Sequence, residues 1–180
     1  MGKDTFDKIC WVLLLAAIVS IITVIVVNRE SQDGTSGSGL GKALEREMGY
    51  RARVELIVKL YGPVKELRKN GNRQQALLKL DELIRKYPGE AHGHILQGQI
   101  LREMGALDEA ISSYVEGVKL NGDYVDDKSP LTQRAEIQRL VDEGIKSVGA
   151  RAVANPANRS IAVSLRKVNY LKSRLAGGCE

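Results

Sequence analysis

His92 and His94 are the only histidines in the chain, and a histidine pair is the first place to look for a metal site or an acid–base catalyst. They stand two apart in "EAHGHILQGQI", a run that reads as helix, and helical neighbours at that spacing project to different faces. No plausible nucleophile stands near either of them in sequence. Cys10 and Cys179 lie at opposite ends of the chain, which leaves no CxxC, no Cys/His zinc cluster and no disulfide framework. "GSGLGKA", residues 37–43, has the outline of a phosphate-binding loop and fails on its particulars. The motif wants Gly at position 36, where Ser36 stands, a hydroxyl after Lys42, where Ala43 stands, and a preceding strand. Acidic side chains mostly neighbour basic ones, as on solvated helix faces. These residues predict no catalytic centre, no cofactor and no metal site, and the chain is expected not to be an enzyme.

What must position side chains that do no chemistry of their own is a helical framework. The 180 residues are 43% hydrophobic and 27% charged but only 4% aromatic, and Ala, Leu, Glu, Lys and Arg dominate, which favours helix over sheet. The length suits one modest globular domain with a special segment. The net charge of +5 is local: residues 151–180 hold six basic side chains against Glu180 alone, and the rest of the chain balances. A nucleic-acid binder spreads its basic residues over a domain face and interleaves aromatics, so no nucleic-acid partner is expected.

Residues 1–8 form a short polar tail. Residues 9–27, "ICWVLLLAAIVSIITVIVV", contain no charged side chain. As a helix the run reaches roughly 28 Å, about the thickness of a hydrocarbon core. It is longer than the apolar part of a signal peptide and no small-residue cleavage site follows, so a single uncleaved transmembrane helix is predicted. Lys3 and Lys8 flank its near side, while Arg29 stands alone on the far side until Lys42. By the positive-inside rule the N-terminus faces the cytoplasm, which places the domain on the periplasmic side of a bacterial inner membrane. Residues 28–41, centred on "SQDGTSGSGLG", read as a flexible Gly/Ser linker spanning about 20 Å.

The helical domain is expected over 42–176. Sliding the sequence along itself until Gly71 falls on Gly105 also sets Ala76 on Ala110, Leu67 on Leu101, Leu80 on Tyr114, and Tyr87–Pro88 on Asn121–Gly122. Gly71 and Gly105 fall where a turn between two helices needs a left-handed backbone. Ala76 and Ala110 are small where a neighbouring helix must lie close. The first unit covers about 57–90 and the second about 91–124. Pro156, two periods after Pro88, hints at a degenerate third unit, so 125–176 would hold that unit and a basic capping helix.

This pattern resembles the tetratricopeptide repeat, whose period of about 34 residues matches the shift and carries small, aromatic and proline positions in fixed order. The second unit carries His94, Gln97, Gly98, Leu101, Ala110, Tyr114 and Gly122 at those positions, and the first Leu60, Pro63, Val64, Leu67, Ala76, Leu80 and Pro88. The family's Trp is absent from both units, and Val64 replaces its first small residue. The resemblance implies an all-α fold, a right-handed solenoid of helix-turn-helix units whose first helices line a concave groove. The groove would bind a peptide or helix of a partner protein, using Val58, Tyr61, Lys65, Arg68 and Lys69, then His92, Ile95, Gln99, Arg102 and Glu103. Its mixed apolar and basic character suggests an extended or acidic ligand. The Lys/Asn pair with which one subfamily clamps chaperone tails is not there, because Tyr61 and Lys65 occupy those positions. The expected function is that of a membrane-anchored scaffold recruiting or assembling partners at the bilayer. The alternative is a small structural subunit of a membrane complex, its groove filled by a fixed neighbour.

Flanking helices complete the expectation. Leu44, Met48, Ala52, Leu56, Leu60 and Val64 recur at steps of four and predict one long apolar stripe over 42–70, kinked at Gly62–Pro63. Ser129 as cap and Pro130 at the first position predict the start of the next helix. Ile161, Leu165, Val168, Leu171 and Leu175 form one face of a last helix stopped by Gly177. Its Arg159, Arg166, Lys167, Lys172 and Arg174 would be a solvated outer face, with contact to anionic lipid as the functional alternative.

Overall fold

A computed structural model describes residues 37–177. The predicted membrane span 9–27, the tail before it and the linker up to residue 36 lie outside the described residues. Among those described there are six α-helices, one 3-10 turn and no strand, and none of the helices is long and apolar enough to cross a membrane. The chain is all-α over this range. The chain divides into two units at Arg51 and Ala52.

The helices are α1 (Gly37–Lys69), α2 (Arg73–Lys86), α3 (Ala91–Glu103), α4 (Leu107–Leu120), α5 (Arg134–Ala154) and α6 (Arg159–Leu175). Helix α1 starts at Gly37, inside the segment read as linker, because adding residues to an existing helix is far cheaper than nucleating one. Along it Glu45, Arg46, Glu47 and Arg51 are exposed, with Arg51 on Glu47 at 3.1 Å. The stripe at steps of four is buried only at its C-terminal end, at Val64 with Leu60 packed beside the core. Leu44, Met48 and Leu56 are exposed, whereas Ile57, Tyr61 and Val64 are buried. A step of four overshoots the helical turn, so such a stripe winds off the packed side within a few turns. Pro63 lies within α1 and does not end it.

In the second unit the period reappears bond for bond. The Asn72 amide donates to the Leu67 carbonyl at 2.9 Å and the Ala106 amide to Leu101 at 2.9 Å. Gly71 and Gly105 donate to Arg68 and Arg102, each at 3.0 Å, with φ of 80° and 81°. Helices α2 and α4 both run 14 residues, and their closing bonds, Tyr87 to Leu83 and Asn121 to Gly117, are again one period apart. Ala76, Ala110, Leu80 and Tyr114 are fully buried. Pro88 is exposed just beyond α2, and Gly122 opens the 3-10 turn after α4.

The third pair abandons the period. Helix α5 begins at Arg134 rather than at Pro130, because residues 125–133 are used otherwise. Leu131 is buried, the Ser129 hydroxyl accepts from the Leu131 amide at 3.1 Å, and the Gln133 amide donates to the Tyr124 carbonyl at 2.8 Å. Ser129 caps a turn, not a helix. Pro156 follows the end of α5, and the Asn158 side chain caps α6 through the Ser160 and Ile161 amides. On α6, Val168, Leu171 and Leu175 are buried, with Ile161 and Leu165 packed partly against the core. The capping face is less uniformly solvated than its sequence suggests. Arg159, Arg166 and Lys172 are exposed, but Lys167 donates to the Ser112 hydroxyl of α4 at 2.7 Å, and Arg174 is half-buried. A long basic side chain beside a gap between helices buries its stem and spends its head group on a bond.

Two glycines separate backbone demand from space. Gly105→Ala is expected to destabilise by about 1–2 kcal/mol, the cost of a left-handed non-glycine residue, although nothing lies within 4 Å of the added carbon. Gly149→Ala, inside α5 and equally open, should stabilise by about 0.5–1 kcal/mol through helix propensity. Urea melts of the two variants should move in opposite directions.

Candidate partner-binding face

The first helices of the three pairs, α1, α3 and α5, are stitched together along one side by long polar side chains. Arg68 on α1 donates to Glu103 on α3 from Nε at 2.9 Å and Nη2 at 2.5 Å, and from Nη1 to Gln99 Oε1 at 2.6 Å. Gln99 Nε2 passes the chain on to α5, donating to Glu136 at 3.0 Å, with the side-chain Oε1 of Gln133 at 3.3 Å. Arg102 reaches Glu143 at 3.0 Å. Arg73, at the start of α2, donates to the other oxygen of Glu103 at 3.2 Å. The hydrogen bonds from Arg68 hold the Glu103 carboxyl below the usual carboxylate range, against the opposing pull of partial burial.

Of the residues expected to line a groove, this side gathers Lys65, Arg68, Lys69, Gln99 and Arg102, with Val58 exposed on the same helix. Tyr61 and Ile95 are not on it. Both are fully buried, one period apart, because a helix packed on both neighbours has little face left for solvent. His92 is mostly enclosed as well. Its Nδ1 lies 3.0 Å from the Tyr124 hydroxyl and its ring meets Tyr61 edge-on at 5.1 Å between centroids. Burial pushes its pKa down to about 4, aided by the positive charges of Lys65 and Arg53. The same burial pushes the Tyr61 hydroxyl up to about 12. His94 turns the other way and is half-buried; burial depresses its pKa, opposed by the Glu116 carboxylate of α4.

The packing residues sit as follows. Gly98 faces the Tyr114 ring so closely that an added Cβ would lie 2.6 Å from Cδ2, and 3.2 Å from the Ala110 carbonyl. Thus Gly98, Ala110 and Tyr114 form one contact between α3 and α4. Ala76 is buried in α2, and Gly71 and Gly105 make the turns.

No family model matches the chain, and no curated protein matches it.

Lys65, Arg68, Lys69, Arg73 and Glu103 border one open depression of about 440 Å³. Arg73 escapes a reading based on first helices because it opens a second helix. Its partner Glu103 is expected in the groove, but not as the carboxylate on which Arg68 and Arg73 converge. Glu143 is hidden for another reason: no groove residue of the earlier units lies one period before it. Gln133 and Glu136, one period after Gln99 and Arg102, carried a sequence signal. Among the described residues no group of three His, Cys, Asp or Glu side chains could hold a metal ion.

Proposed function

We propose that this chain is a membrane-anchored tetratricopeptide-like scaffold that docks a segment of a partner protein on the side of α1, α3 and α5 and so recruits or assembles a complex at the bilayer. Stacked units of this kind coil as a right-handed solenoid with those helices inside. One observation carries the reading: what repeats and what does not. Positions that pack or turn recur one period on, as Gly71/Gly105, Ala76/Ala110 and Ile57/Ala91 do. On the exposed side of the first helices only Arg68 recurs, as Arg102, while Lys65 becomes Gln99 and Lys69 becomes Glu103. Scaffold physics accounts for the first set and leaves the second free for recognition. The anchor is residues 9–27, whose apolar length suits a bilayer, and the exported side follows from Lys3 and Lys8.

A photocrosslinking residue placed at Lys65, and as a control at Lys79 on α2, tests this in native membranes. Both side chains are exposed. A discrete protein adduct from position 65 and none from 79 is expected. Equal patterns from both positions would refute a docking face there.

A further inference from the structure

We infer that the depression bordered by Lys65, Arg68, Lys69 and Arg73 takes a carboxylate side chain of an acidic partner segment, and that Glu103 fills it in the free protein as an internal competitor. The inference rests on the docking reading above and assigns its ligand chemistry. Four cations surround a single carboxylate, and the volume of about 440 Å³ leaves room for more than that one group. Lys65 and Lys69 are exposed and join no ion pair among the described residues. The site already displays what it holds well. Arg68 meets Oε1 of Glu103 through both Nε and Nη2, and Arg73 takes Oε2, so two guanidinium groups satisfy one carboxylate by charge-assisted hydrogen bonds.

Folding does not require this charge. One period later the corresponding residues are Gln99, Glu103 and Leu107, and that unit packs the same way with neither lysine and with no cation at the start of its second helix. Only Arg68, which recurs as Arg102, belongs to the common plan. No aromatic residue borders the depression, so a base of a nucleic acid would find nothing to stack on. A second depression of about 380 Å³ shares Arg73 and is bordered by Met104, which is 43% exposed. A segment lying across both would put a carboxylate on the cations and an apolar neighbour on Met104. Glu103 then acts as a gate, since an incoming carboxylate must displace it from Arg68 and Arg73.

The test is fluorescence anisotropy with a fluorescein-labelled hexaglutamate peptide and the full chain in detergent at low salt. Glu103→Gln, which frees both arginines, should bind about threefold more tightly than wild type, the scale of one exposed ion pair. Lys65→Glu with Lys69→Glu should weaken binding about tenfold or more; both side chains are exposed, so this variant keeps the inference testable even if Glu103→Gln unfolds. Added salt should weaken every affinity. Equal affinity across wild type and variants overturns the inference, and so does displacement of the peptide by oligothymidylate or inorganic phosphate more readily than by free hexaglutamate. A protein adduct from position 65 without any hexaglutamate binding would leave the docking face standing and remove the acidic ligand. Hexaglutamate binding that follows the expected order, with no specific adduct, would do the reverse.

Discussion

Gly98→Val is expected to destabilise the 52–180 unit by about 3 kcal/mol, the upper part of the range for overpacking a filled core. The reason lies in two atoms that cannot both yield. A Cβ at position 98 would stand 2.6 Å from Cδ2 of Tyr114, and the ring is fully buried. It would also stand 3.2 Å from the Ala110 carbonyl, which is helix backbone. One period earlier the same two places are filled by Val64 and Leu80, both fully buried. The units thus solve one packing problem twice, with a glycine against an aromatic ring in one and a valine against a leucine in the other. Gly98→Val combined with Tyr114→Leu rebuilds the first unit's solution in the second. The pair should show a favourable coupling of about 2 kcal/mol over the sum of the single changes. Ala110→Leu, at the same contact, should cost about 1–3 kcal/mol without such a remedy. Thermal and urea melts of the four variants check this. A Gly98→Val protein that melts like wild type would mean that α3 and α4 are not in contact there.

The second large effect is on pH. His92 is held at about 4 in the fold, against about 6.5 in an unfolded chain. Between those values the unfolded state binds the extra proton, so stability rises with pH across the window and is lost as pH falls through it. The full loss, reached once pH is below about 4, is about 3 kcal/mol. The groups around the ring give this its sign. Tyr61 and Tyr124 pack against it, Lys65 and Arg53 repel a second positive charge, and Glu90 is bound to the His92 amide at 3.2 Å and to Arg53 at 3.3 Å. His92→Gln should be less stable than wild type at neutral pH, yet lose less stability from pH 6.5 to about 5, above the carboxylate range. His94, whose pKa burial also depresses, accounts for the remaining slope. Wild type should lose stability over the same interval. Parallel slopes for the two proteins would show that His92 is not the group responsible.

The helical class and the paired units were legible in the sequence because they rest on local chemistry. Gly71 and Gly105 are needed where φ is positive, and Ala76 and Ala110 where helices approach, so their spacing reports the fold directly. The shared register of α2 and α4, equal in length and one period apart, follows from those four positions. The start of α5 was not legible. Ser129 and Pro130 form a good local helix signal, and only burial of Leu131 and the bond from Gln133 to Tyr124 override it. The stripe misled from Leu44 to Leu56, which are exposed, for the complementary reason, since spacing alone cannot say where a helix has a neighbour.

The candidate site divides along the same line. Its basic residues on the first helix, Lys65, Arg68 and Lys69, could be named from the period, since i, i+3 and i+4 share a helical face. Glu103, one period after Lys69, could be placed on that side too, but its pairing with Arg73 could not. Arg73 and Glu103 are far apart in sequence and meet only because α2 turns back beside α3. Tyr61 and Ile95 went the other way, from expected groove to core, since the packing of α1 and α3 on their neighbours leaves those positions no solvent. Sequence by itself determined the helices, their turns and the small residues between them, because each depends on backbone angles and on contacts at fixed spacing. Tertiary structure alone decided which side chains remain exposed and which charges converge, because burial and ion pairing depend on distances between segments that no local pattern encodes.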